Sequence, residues 1–194
     1  MSTEPLTFLL KDDGKVPNNP ALPVLLYKNA VDLDKSIAPA AAIENLFRAN
    51  GWGHGQWRDG IYPFVHYHSM IHEVLGIAQG RAKVQLGGAH GEVFDLAAGD
   101  VVVLPAGTGH QRLSASDDLL VIGAYPPAGT YDLCRGDNPA DHDKALTTIA
   151  KVPVRQPTRS SAPTVRYPAS GGGKTACFIQ TPLIPAKAGI QAHK

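Results

Sequence analysis

The chain has 194 residues, 43% apolar and 18% charged, which fits one globular domain with a buried core and excludes a disordered chain. Its formal net charge is +1, but residues 1–150 carry 11 Lys/Arg against 17 Asp/Glu, and residues 151–194 carry 7 Lys/Arg and no acid. An acidic body argues against nucleic acid as a partner, and apolar runs no longer than those at Val101–Pro105 and Leu119–Ala124 argue against a membrane span.

The first residues, Met1-Ser-Thr-Glu-Pro5, lack the basic and apolar regions of a signal peptide. Two cysteines, Cys134 and Cys177, are too few for a disulfide framework. Both features lead to the expectation of a cytoplasmic protein whose cysteines are free thiols without a catalytic role.

Residues 4–34, with Pro17-Asn-Asn-Pro20 and Pro23-Val-Leu-Leu-Tyr27, read as an extended segment with turns and one edge strand. Ser36 to Asn50 is the clearest helix. Ser36 is its expected cap, Pro39 lies in the first turn, Ile43, Leu46 and Phe47 form one apolar stripe, and Gly51 ends it. From Trp52 to Tyr125 short β-like runs alternate with Gly, Pro and Asp. Strands are expected near 54–58, 62–68, 72–78, 81–87, 91–96, 101–104, 109–114 and 119–125. Eight short strands predict an all-β sandwich or barrel rather than alternating β and α units.

An irregular stretch follows to Asn138, then a short helix near Asp141–Ala150 with Leu146 and Ile149 as its apolar contacts. From about residue 154 the chain turns Arg-, Ser-, Thr- and Pro-rich, and 155–176 has the composition of a linker or disordered segment. The domain is therefore expected to span 1–153, with a barrel core at about 52–125 and an atypical basic tail at 154–194.

The chemistry concentrates in Gly60–Gly80. His66 and His68 are two apart, so an extended strand points both to one face. Glu73 follows five residues later, and a reversal near Ser69–Met70 returns it beside them. Two imidazoles and a carboxylate suit a borderline divalent ion. His72 has the opposite parity to Glu73 and is expected to point away. A further ligand is best sought on Gly99–His110, where Val101–Leu104 reads as a buried strand and Pro105–Gly107 as a reversal leading to His110. No helical His-Glu-x-x-His is present, and Gly171-Gly-Gly173-Lys174-Thr175 lacks the spacing of a phosphate loop.

These residues resemble the two motifs of the cupin superfamily. Gly60, His66, His68, Glu73 and Gly80 match every spacing of the first motif. Gly99, Pro105, Gly107 and His110 match the second, whose final Asn is Ser114 here. On composition alone such a set arises at roughly 10⁻¹¹ per placement, too rarely for coincidence. Pro17-Asn-Asn-Pro20, Pro23–Tyr27, Asn50-Gly51-Trp52, Tyr125-Pro-Pro127 and Asp132–Gly136 further resemble a bacterial group of single-domain cupins known as YjlB-like, over about residues 8–153. Pro185–Gln191 looks like translated repetitive DNA, and a shifted reading frame near residue 154 would explain the basic tail.

The resemblance implies a jelly-roll β-barrel with one or two peripheral helices. It also implies a metal site of His66, His68, Glu73 and His110, and a cofactor that is a divalent transition metal (Fe, Mn, Ni, Zn or Cu). About two coordination positions stay open for a small-molecule ligand or substrate. A metal-dependent enzyme of the dioxygenase or isomerase class is the leading expectation, and a non-catalytic small-molecule-binding module is the alternative. Strand parity places Arg112 and Ser114 inside with His110. Arg112 is then a candidate anchor for an anionic ligand; otherwise it pairs with an internal acid or reaches the barrel mouth. His54 and Gln56 precede the motif on a strand that can face the cavity, and His54 is a candidate acid or base with a structural role as its alternative. Tyr62, Phe64, Leu75 and Ile77 are expected to pack the core. A homodimer is expected, with the N-terminal strand pairing across a two-fold axis.

Overall fold

The computed structural model describes residues 4–33 and 38–154. Ser36 and the tail from residue 155 lie outside the described residues, as does Cys177. Among the described residues, eleven strands form two antiparallel sheets. They are β1 (Leu6–Phe8), β2 (Val24–Tyr27), β3 (His54–Asp59), β4 (His66–Tyr67), β5 (Glu73–Gln79), β6 (Arg81–Leu86), β7 (Glu92–Ala97), β8 (Val101–Leu104), β9 (His110–Ala115), β10 (Leu120–Tyr125) and β11 (Cys134–Arg135). One sheet runs β1-β2-β8-β5-β10-β3 and the other β11-β4-β9-β6-β7. The expected all-β jelly roll is thus what the chain forms.

Period-two alternation builds two cores from one sheet. Leu75, Ile77, Val102, Leu104 and Val121 point inward and meet Ala82, Val84, Leu86 and Leu96 of the opposing sheet. Their neighbours Val74, Val101, Val103, Ile122 and Ala124 point outward, under α1 (Pro39–Ala49). Strands buried on both faces read as continuous apolar runs, which is why Val101–Leu104 carries no polar residue. Ile43 and Phe47 of α1 are fully buried against this outer face, an effect worth roughly 1.5–3 kcal/mol each. The helix starts at Pro39 with Ala38 as its cap residue and no side-chain cap bond, later than the expected Ser36.

Several local expectations need correction. The 62–68 run is a strand only at His66–Tyr67. The N-terminal segment holds two strands; β1 is the sheet edge, and β2 lies between β1 and β8. β11 arises in the stretch expected to be irregular. The second helix, α2, spans Pro139–Thr148 and continues as a 3-10 turn at Ile149–Lys151. Asn138 caps it by accepting the Ala140 N–H, a bond the predicted start at Asp141 overlooked. Ala145 and Ile149 are buried under it with Val16, Tyr67 and Cys134, whereas Leu146 is exposed.

The N-terminal segment is tied to α2 by His142 Nε2, which lies 2.9 Å from Asp12 Oδ1. The hydrogen bond with Asp12 raises the His142 pKa above its ordinary 6.5. Partial burial pushes Asp12 upward, but the hydrogen bonds from His142 and Gly14 and the His142 charge together outweigh it, and the carboxyl sits below 3.8. The raised histidine contributes stability that is fully present below 6.5 and is lost as pH rises through its folded value. The lowered carboxylate contributes above 3.8 and loses that as pH falls. Asp12→Asn is therefore expected to lower stability by about 0.5 kcal/mol near pH 5 and by almost nothing near pH 9. Urea unfolding at the two pH values checks this; equal losses would reject the pair.

Gly123 on β10 marks a close contact in the barrel. A Cβ there would lie 1.9 Å from Trp57 Cε2. Gly123 pairs with Trp57 in register, so only a residue without a side chain lets the indole lie flat across the inner face. Gly123→Ala is expected to displace Trp57 and lower stability by about 1–3 kcal/mol. A red-shifted tryptophan emission with a lower urea midpoint would show it, and unchanged emission would refute it.

Candidate metal centre

His66 on β4, His68 just beyond it, Glu73 opening β5 and His110 opening β9 converge inside the barrel. His66 and His110 are direct register partners across β4 and β9, and their ring centroids lie 4.0 Å apart. One nitrogen from each of the three histidines falls within 4.8 Å of the others. Glu73 Oε2 lies 3.4 Å from His68 Nε2 and 3.3 Å from His110 Nε2. All four side chains are buried.

The opposite ring nitrogens explain the orientation. His66 Nδ1 lies 3.1 Å from the Phe64 carbonyl and His110 Nδ1 lies 3.1 Å from the Thr108 carbonyl. His68 Nδ1 bonds the Asp132 carbonyl. A carbonyl only accepts, so each Nδ1 carries the proton and each Nε2 turns a lone pair toward the centre. Glu73 Oε2 is buried with no aligned donor, since its two histidine contacts have ion-pair distances without hydrogen-bond geometry. Three convergent lone pairs, with an orphaned carboxylate oxygen beside two of them, fit a divalent cation.

The charges agree. Burial lowers the His66 pKa to about 3, helped by the neighbouring His110, so this ring is neutral and ready to ligate. Burial also pushes Glu73 upward, but the adjoining His68 and His110 rings together outweigh it and hold the carboxyl well below the carboxylate range. His68 is correspondingly raised by Glu73 against its own burial.

Two straps position the ligand-bearing turns. Asp132 accepts the backbone N–H groups of Ser69 (2.9 Å) and Met70 (3.0 Å), the Ser69 hydroxyl (2.7 Å) and the Cys134 thiol (3.3 Å). It thereby clamps the reversal between His68 and Glu73, while its carbonyl holds His68. Burial pushes the Cys134 thiol up to about 12, so it is an inert donor. On the other side, Asn18 Oδ1 accepts the Gly109 N–H at 3.1 Å and Asn19 Nδ2 donates to the Ala106 carbonyl at 3.0 Å. Gly107 sits between at φ 92°, where a Cβ would meet the Asn18 carbonyl at 2.9 Å. His72 points away from the cluster and accepts the Ala106 N–H at Nδ1, and burial lowers its pKa to about 4.

Beside the cluster lies a cavity of about 340 Å³, whose walls include Trp57, Asp59, Ile61, Tyr62, Leu75, Tyr125 and Tyr131. Arg112 and His54 are not among its lining residues. Arg112 faces inward opposite Val84, but its N–H donates to the Tyr62 carbonyl at 2.9 Å, and Tyr62 rather than Arg112 reaches the cavity. Among the described residues its guanidinium pairs with no acid, so the expected internal ion pair is not formed. A bulge at Leu113 then inverts the parity, and Ser114 pairs with Lys83 on the exposed face instead of pointing in. Gln56 bonds Arg48 and the Glu44 carbonyl on the α1 side, and His54 is exposed, because Trp57 takes the inner face of β3.

Tyr62 is 47% exposed at the cavity mouth, stacked on Phe64 at 4.9 Å, and is not the core residue expected. Leu75 and Ile77 do pack the barrel interior. Sequence reasoning missed Trp57, Tyr125, Tyr131 and Asp132 as site residues. Parity with Val121 could have found Tyr125; no local signal marks the other three.

Two sheets closed around an inward cluster of this kind define a cupin. No family model matches the chain. Uncharacterized protein YjlB of Bacillus subtilis (strain 168) is 38% identical over 159 residues, which cover 81% of this chain and 92% of that protein. The chain belongs to the YjlB family of cupins. Solved structures that resemble it include acireductone dioxygenase from Bacillus anthracis with cadmium in its active centre (TM-score 0.38, 16% identity, 56% of this chain and 83% of that one). Others are a cupin from Bacteroides fragilis (0.31, 20%, 58% and 70%) and Lactobacillus farciminis oxalate decarboxylase in complex with formate (0.31, 18%, 59% and 26%). No described helix is long and apolar enough to cross a membrane.

Proposed function

We propose that His66, His68, Glu73 and His110 bind one divalent transition metal and that residues 1–153 act as a metal-dependent enzyme on a small molecule, of the dioxygenase or isomerase class. The observation that carries this reading is the set of three Nδ1–H···O=C contacts, which make three Nε2 lone pairs converge, with the orphaned Glu73 oxygen beside two of them. When bound, the metal supplies Lewis acidity and open coordination positions at the cavity. The chain itself holds the neutral imidazoles in place, supplies a carboxylate to balance the charge, and keeps bulk water off the buried cluster. Tyr125 closes one side, and its phenol keeps its proton because burial and the Glu73 charge both raise its pKa. The free edge at β1 supports a homodimer in which two such strands pair.

Elemental analysis of protein purified without a metal-affinity column tests the reading. A bound first-row transition metal is the expected result, and metal-free protein that gains no thermal stability from added Fe(II), Mn(II), Ni(II) or Zn(II) would overturn it. Oxygen uptake by Fe(II)-loaded protein with a panel of candidate substrates then separates a dioxygenase from a module that binds without turnover.

A further inference from the structure

The two carboxylate oxygens of Glu73 have different surroundings. Oε2 lies 3.3 Å from His110 Nε2 and 3.4 Å from His68 Nε2, on the side of the cluster, and no donor is aligned with it. The carboxyl is also hydrogen-bonded to the Tyr125 hydroxyl. Because Oε2 has no donor, Oε1 is the oxygen that the phenol holds.

The phenol is fixed in this direction. Trp57 Nε1 lies 3.2 Å from the Tyr125 oxygen, and an indole N–H only donates. That oxygen therefore accepts from Trp57, and its single O–H is given to Glu73. The ring is held as well: Tyr125 is buried at the end of β10 and meets the His68 ring edge to face at 5.8 Å and the Tyr131 ring at 5.7 Å. Trp57 in turn lies against Gly123, whose missing side chain leaves room for the indole. Trp57, Tyr125 and Glu73 thus form a chain of donors that runs one way and ends on the carboxylate.

A carboxylate can ligate a cation through one oxygen or chelate it through both. We infer that Tyr125 is a positioning residue whose hydroxyl keeps Glu73 Oε1 off the metal, so that Glu73 ligates through Oε2 alone and a coordination position facing the cavity stays open. The inference rests on the metal reading above. It gives Trp57 the task of orienting the phenol.

Protein loaded with Mn(II) reads this, because the relaxation of solvent protons by bound Mn(II) scales with the number of waters the ion holds. In Tyr125→Phe the freed Oε1 is expected to chelate the ion and displace a water. With about two open positions in the wild type, the relaxivity per bound ion should fall to about half. Trp57→Phe keeps the phenol but removes the donor that orients it, and should lower the relaxivity by less. Relaxivity is compared at full Mn(II) occupancy, so a role of Tyr125 in packing alone would lower the urea midpoint and leave the relaxivity per ion as it was. Unchanged or raised relaxivity in either variant, or a larger fall in Trp57→Phe than in Tyr125→Phe, would overturn the inference while leaving the metal reading intact. A wild type that takes up no Mn(II) would overturn the inference, and one that takes up no divalent metal at all would overturn the metal reading with it.

Discussion

His66→Ala is expected to empty the metal centre while the barrel stays folded. The ring contributes one of three convergent nitrogens and adjoins a cavity of about 340 Å³, so its removal enlarges an existing space rather than opening a void in packed core. The stability lost is then close to one hydrogen bond, the Nδ1 contact to Phe64, or about 1 kcal/mol. Affinity should fall far more. A lost outer partner typically costs about 10–100-fold, and a lost ligand exceeds that. Dialysed protein analysed by plasma emission should show His66→Ala without metal beside a loaded wild type, and the two should have nearly equal urea midpoints once both are metal-free. Undiminished metal in the variant would place the site elsewhere.

Asp132→Ala is expected to damage both the fold and the centre, although Asp132 is not proposed as a ligand. Its carboxylate accepts from Ser69 N, Ser69 Oγ and Met70 N, 62–63 residues away in sequence, and from the nearby Cys134 Sγ. Truncation leaves two backbone N–H groups without acceptors in a part-buried turn, an effect of about 2–4 kcal/mol. The same turn joins His68 to Glu73, and the Asp132 carbonyl holds His68 Nδ1, so a loosened turn should weaken metal binding about 10–100-fold. Asp132→Asn keeps one acceptor oxygen and should fall between the two. Urea unfolding of metal-free protein and metal titration separate the effects. A variant within about 0.5 kcal/mol of wild type, with unaltered affinity, would show that the clamp does not matter.

The arrangement of charge around the cluster also says why the two histidines of the first motif behave differently. Burial and the neighbouring His110 drive His66 neutral against the pull of Glu73, whereas against burial Glu73 holds His68 raised. The Glu73 carboxylate stays ionised inside the barrel because His68 and His110 surround it.

Much of the site was legible in the chain before any fold was known. Alternation on a strand puts His66 and His68 on one face and turns His72 away from Glu73, and these are local consequences of backbone geometry. The Pro105–Gly107 reversal that starts β9 at His110 is equally local, as are the apolar runs that become β8 and β10 and the stripe of α1. Parity failed where a local irregularity intervened. The bulge at Leu113 sent Ser114 outward, and the claim of Trp57 on the inner face of β3 sent Gln56 to the α1 side and left His54 in solvent.

Other features were decided only by tertiary structure. Asp132 clamps a turn 62–63 residues away, Asn18 reaches Gly109 over 91 residues, and Trp57 meets Tyr125 over 68. Such contacts depend on which strands become neighbours, and β10 lying between β3 and β5 is a property of the closed barrel. The four proposed ligands could be read from spacing because they lie on two short segments with fixed periodicity. The aromatic walls and the phenol beside them could not, because loops and strands far apart in the chain bring them together.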